Sequence, residues 1–261
     1  MQGPLTDLLA GGSGILTGGI LGLVGGGGSI LAVPLLIYAV GIVSPHVAIG
    51  TAAIAVSASA LANLVFHARA GHVKWPCALV FSIKGVAGAL TGAHFAKMVD
   101  GQRLLFLFGI LMLVVGAAML LPRKEATTAD IRLDLASAPR MLPALAGTGL
   151  GVGLLSGFFG IGGGFLIVPG LMLATGMPLI NAIGTSLVSV TAFGAATAGS
   201  YAASGLIDWR VAAFFVGGGM LGGLAGVALG KRMAERKRAL GLVFAFIVIA
   251  AGLYVVAWGL M

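Results

Sequence analysis

Two stretches decide the fold: GGGGSILAVP at residues 25–34 and GIGGGFLIVP at residues 160–169. Six of the ten positions are identical. Each stretch interrupts an apolar run too long for one simple helix, residues 8–41 and 141–176. Consecutive glycines break a helix, because glycine loses more conformational freedom on folding than any other residue and has no side chain to pack. Each run is therefore expected to form two pieces joined at a glycine tip. The second pieces, about 13 residues each, are short for a membrane crossing, which takes about 20 apolar residues.

The similarity extends outward in one register. Gly14, Gly18 and Gly22 match Gly149, Gly153 and Gly157 at an offset of 135. VAIGT (47–51) matches NAIGT (181–185), and GHVKW (71–75) matches GLIDW (205–209), at an offset of 134. Gly85, Gly88 and Gly92 match Gly219, Gly222 and Gly226 at that same offset. Several motifs separated by a single one-residue gap mark an internal duplication.

Composition sets the environment. Of 261 residues, 59% are apolar and 8% charged, where a soluble domain has about 45–50% and about 25%. Mean hydropathy is +1.12. Such a chain cannot cover a water-facing surface, so a soluble enzyme and a disordered chain are both excluded. Six further segments are apolar enough to span a bilayer: 47–66, 75–97, 104–121, 182–203, 209–230 and 240–260. Glycine, 45 residues with no collagen period, suits close helix packing in lipid. The net charge of +8 comes from basic residues lying mostly between apolar segments, where they report orientation rather than a nucleic acid partner. One cysteine, Cys77, leaves no disulfide and no CxxC site. No basic region precedes the first apolar run, so a cleaved leader is not expected.

The positive-inside rule separates two topologies. If each broken run begins and ends on one side, eleven Lys/Arg fall in cytoplasmic loops and three outside. If each broken run crosses once, the repeats are parallel and the count is seven to seven, without bias. The expected fold is therefore an all-α integral membrane protein of two inverted repeats. Each repeat is a glycine-broken helical hairpin followed by three transmembrane helices. The repeats span residues 1–121 and 141–261, joined by a polar cytoplasmic linker at 122–140, with both termini outside.

Inverted repeats with broken helices place a substrate near the bilayer midplane, where the breaks meet. A helix beginning at a glycine tip presents unpaired N–H groups and a positive dipole end, which lipid cannot satisfy and a small anion can. The candidate ligands are the tip residues Gly26, Gly27, Gly28 and Ser29, and Gly162, Gly163 and Gly164. Thr51 and Thr185, matched across the repeat, are candidate hydroxyl ligands; Ser57, Asn63, Ser186, Ser189 and Thr191 are weaker ones, since such side chains more often bond to a carbonyl one turn back. Lys84 is the only basic residue deep within a span, which marks it as a functional candidate with snorkelling as the plain alternative. The spaced glycines of 14–22 and 149–157 read as packing faces. Trp75 and Trp209 begin matched spans as interface anchors. No histidine–carboxylate cluster suits a metal, no cofactor motif stands out, and no nucleophilic triad is suggested by spacing.

The doubled motif, GGGGSILAVPLL and GIGGGFLIVPGL, each followed by AIGT and then a G-x-x-x-W loop, resembles the TauE/SafE sulfite exporter family over about residues 8–260. That resemblance implies a secondary transporter of the bacterial inner membrane carrying sulfite, a small organosulfonate or a related sulfur oxyanion. Related thiosulfate carriers are thought to use cysteines along their path, and the lone Cys77 argues against that mechanism here. A passive anion channel is the alternative. The sequence leaves the oligomeric state open, a homodimer included.

Overall fold

The computed structural model describes residues 3–24, 26–120, 138–160, 162–232 and 237–259. The linker residues 122–137, the centre of the basic loop (233–236) and both chain ends fall outside them. The described residues form helices and no strand. These are α1 (Pro4–Val24), α3 (Pro45–Arg69), α4 (Trp75–Ala96), α5 (Gly101–Leu120), α6 (Ala138–Phe159), α7 (Gly164–Thr175), α8 (Leu179–Ala202), α9 (Trp209–Arg232) and α10 (Lys237–Gly259). The label α2 denotes the short segment that follows α1, a 3-10 spiral (Gly26–Leu31) running into single α and π turns (Ala32–Pro34 and Leu35–Ala39).

Both long apolar runs are split as expected, into α1 with α2 and α6 with α7. Seven helices, α1, α3, α4, α5, α6, α8 and α9, are long and apolar enough to cross a membrane; α2 and α7 are shorter. Left-handed glycines at matched positions close the turns. Gly41 and Gly176 (φ +86° and +71°) follow the short segments, and Gly71 and Gly205 (φ +72° and +68°) follow α3 and α8. Proline stands in the first turn of α3 and of α4, where its missing N–H costs nothing.

Helices approach to backbone contact. A Cβ at Gly18 would strike Gly219 O, and one at Gly153 would strike Gly85 O. Gly22 is stacked on Gly223 in the way Gly157 is stacked on Ala89. The glycine stripes are thus the packing faces of α1 on α9 and of α6 on α4, and both pairs run parallel. Without a hydrophobic driving force between helices in lipid, such close approach supplies the dispersion contacts that hold the bundle.

The helix pairings are reciprocal. α1 packs on α9 as α6 packs on α4, α3 packs on α9 as α8 packs on α4, and α3 pairs with α8 and α5 with α10. This reciprocity is the signature of an isologous contact. The equivalent helices α3 and α8 run in opposite directions: Gly50 near the start of α3 lies against Tyr201 near the end of α8, and Ser57 lies against Gly194. Phe81 of α4 stacks on Phe193 of α8, centroids 6.1 Å apart.

Candidate functional site

The second tip is a left-handed turn. Gly160, Gly162 and Gly163 have φ of +67°, +62° and +67°. An L-residue in that conformation costs about 1–2 kcal/mol, so glycine is the residue that fits. Gly163 caps α7, its carbonyl accepting the N–H groups of Leu166 and Ile167, each at 2.8 Å. Among the described residues, the first amides of α7, those of Gly164 and Phe165, have no backbone acceptor, as is usual at a helix start. Gly162 lies between the equivalent residues Val56 of α3 and Val190 of α8, its Cβ position 3.0 and 3.2 Å from their methyls. Gly160 abuts Ile49.

The first tip is built differently. From Gly26 the chain enters its 3-10 spiral, with Gly26 and Gly27 in the first turn. Gly28 packs flat on α1, where a Cβ would strike Thr17 O and lie 2.5 Å from Leu21 N. Ser29 is fully buried. The spiral of α2 packs against α7.

Thr51 and Thr185 are fully buried and mirror each other. Thr51 Oγ1 accepts the N–H of Asp208, and Thr185 Oγ1 accepts the N–H of Lys74, both at 3.0 Å. Asp208 and Lys74 are themselves 134 residues apart, so these are two copies of one clasp. Each ties the loop before α9 or α4 to the first turns of a helix in the other half. Most hydroxyls on these helices behave conventionally: Thr91, Thr148, Thr175 and Thr191 each donate to the carbonyl four residues back. Among the described residues the clasp threonines accept a loop amide and have no acceptor for their own hydrogen. A cleft of about 310 Å³ opens beside the first clasp, lined in part by Gly41, Ser44, Val47 and Asp208.

Around the tips runs a seam of buried small polar residues. Ser57 Oγ donates to Thr191 O at 2.8 Å, Ser82 and Ser189 share a bond of 2.8 Å, and Ser186 donates to Ile183 O. Buried polar atoms without a hydrogen-bond partner among the described residues include Thr17 Oγ1, Asn63 Nδ2, His72 Nδ1, Ser156 Oγ, Thr197 Oγ1 and Tyr201 Oη. Asn63 and Thr197 are equivalent positions. Sequence reasoning missed Thr17, Ser156 and Thr197, since a lone hydroxyl in an apolar helix carries no spacing signal.

Lys84 is not brought to the tips. It lies on the exposed face of α4, beside Ile83, while Gly85 turns toward Phe193 of α8 and Gly88 toward α6. Depth along a helix was legible from the sequence and facing was not. Cys77 is buried in the first turn of α4. Trp75 and Trp209 are exposed at their helix starts.

A bundle of long apolar helices wrapped around two buried, glycine-lined helix breaks defines a polytopic membrane transporter rather than an enzyme. The family model for the sulfite exporter TauE/SafE matches residues 10–255, and the chain belongs to that family. It is similar to a probable membrane transporter protein of Xylella fastidiosa (strain 9a5c), with 51% identity over 94% of this chain and 93% of the relative. It is also similar to the probable membrane transporter protein YunE of Bacillus subtilis (strain 168), with 30% identity over 85% and 88% of the two chains. No solved structure matches.

Proposed function

We propose that this chain exports sulfite or a small organosulfonate anion across the bacterial inner membrane by alternating access. The observation that carries this reading is the packing of the first tip's spiral against α7, whose N-terminal turn sits with Gly162 between α3 and α8. Backbone amides of Gly26–Ser29 and of Gly162–Gly164 hold the anion near the midplane, supported by the hydroxyls of Thr51 and Thr185. Helix dipoles and convergent amides suit an oxyanion, and sulfite as the cargo follows from the family.

The two halves, 1–121 and 141–261, act as inverted repeats joined by a cytoplasmic linker. Support comes from the antiparallel run of α3 and α8 and from the reciprocal packing of all other major helix pairs. The two threonine clasps lie at opposite ends of the α3–α8 pair, where an alternating-access cycle needs its gates. Lys84, on the outer face, acts at a distance, drawing anions toward the membrane by its field.

Purified protein in proteoliposomes tests this with sulfite, sulfate, thiosulfate, sulfoacetate and taurine, with and without a pH gradient. The expected result is saturable flux with counterflow for sulfite or a sulfonate. Flux that never saturates and only follows the electrochemical gradient would make the protein a channel.

A further inference from the structure

The exchange of halves breaks down at one place beside the tips. Gly28 and Gly163 are equivalent, 135 residues apart, and each packs its Cα against the helix that leads into its own tip. Gly28 meets Leu21, and Gly163 meets Ser156, the residue equivalent to Leu21. A Cβ at Gly163 would lie 2.8 Å from Ser156 Cβ and 2.9 Å from Ser156 Oγ. Ser156 is fully buried, and its Oγ has no hydrogen-bond partner among the described residues. In the other direction, Ser29 of the first tip is replaced by Gly164 in the second. Each tip thus has one fully buried serine, taken from a different position: Ser29 within the first tip, Ser156 one helix earlier for the second.

An unpartnered buried hydroxyl is destabilising relative to a satisfied one. Serine on a helix can donate to a carbonyl three or four residues back, as Ser186 does here. Ser156 makes no such bond, although the carbonyls of its own helix are in reach. It stands instead against Gly163, the capping residue of α7. We infer that Ser156 is a direct ligand of the transported oxyanion, its hydroxyl donating alongside the first amides of α7. This rests on the transporter reading above and adds to it a residue outside both glycine motifs. Leu21 at the equivalent position makes the pocket chemically lopsided: the second tip is served by a hydroxyl from the preceding helix, the first by one from within the tip.

The test compares wild type with Ser156→Ala in proteoliposomes, using whichever anion of the sulfite, sulfate, thiosulfate, sulfoacetate and taurine panel the wild type carries. Half-saturation concentration is read together with thermal unfolding in detergent, with and without that anion. The expected result for Ser156→Ala is a half-saturation concentration raised about tenfold or more, the loss for one hydrogen bond to a charged ligand. Its ligand-free melting temperature is unchanged or higher, because no protein hydrogen bond is lost, and the stabilisation by the anion shrinks. Should the alanine protein not be recovered from membranes, Ser156→Cys, of similar size with a weak donor, is measured in the same way. Half-saturation within twofold of wild type in the recovered variant overturns the assignment while leaving transport intact. Absence of wild-type flux for every anion overturns the transporter reading, and the role of Ser156 with it.

Discussion

Ser57 and Thr191 stand at equivalent positions of the two halves, 134 residues apart, and bond to each other, Ser57 Oγ donating to Thr191 O at 2.8 Å. The bond joins matched positions of α3 and α8. Gly194 packs there with its Cβ position 2.8 Å from Ser57 Cβ and 3.0 Å from Ala53 O. Overpacking of that kind costs about 1–3 kcal/mol. Gly194→Val is expected to lower the melting temperature in detergent, whereas Gly199→Ala on the same helix, with open space around it, is expected to leave it unchanged.

Left-handed glycines separate conformation from contact. Gly41 and Gly205 have φ of +86° and +68° and nothing within 4 Å of a Cβ, so alanine there carries backbone strain alone, about 1–2 kcal/mol. Gly160 and Gly163 combine the same strain with collisions against Ile49 and Ser156. Gly160→Ala and Gly163→Ala are expected to abolish anion flux in protein that still inserts; Gly41→Ala and Gly205→Ala are expected to keep it. Equal flux in all four would remove the second tip from the site.

The clasps predict a matched pair of phenotypes. Thr51→Val and Thr185→Val keep the side-chain volume but remove the hydroxyl to which the part-buried amides of Asp208 and Lys74 donate, a loss of about 1 kcal/mol each. Both variants should be destabilised to a similar degree by thermal unfolding. If the hydroxyls also touch the anion, half-saturation rises in each; unfolding that changes for one variant only would show that the two ends are not equivalent.

Lys84→Ala is expected to change half-saturation by less than twofold at high salt, because the side chain is on the exposed face of α4. Any field effect on anion capture should shrink as ionic strength rises. A tenfold rise at high salt would place Lys84 in contact with the substrate.

Much of the architecture was legible because glycine leaves a visible trace. The two breaks, the stripes at 14–22 and 149–157 and their partners at 85–92 and 219–226 all recur in register, and the structure uses each of them. Facing was not legible. α4 is apolar around most of its circumference, so no amphipathic stripe told which side Lys84 occupies; the adjacent Gly85 points at Phe193 of α8 and Lys84 is exposed. The threonines were found through the repeat, but their bonds to loop amides depend on a chain segment 111 or 157 residues distant. Ser156 was hidden because its equivalent is leucine, so a search for matched positions passes over it. The difference between a 3-10 first tip and a left-handed second tip was hidden too, since both are written in glycine.

The interleaving of helices has a consequence for synthesis. The glycine face of α1 packs on α9, and that of α4 on α6 and on Phe193 of α8, so a ribosome that has released just the first half has made helices whose partners do not yet exist. Such a half should be cleared by proteases when expressed alone. Two separate genes, cut within residues 122–137 and translated in one cell, should rescue each other, each fragment being the missing mould of its sibling.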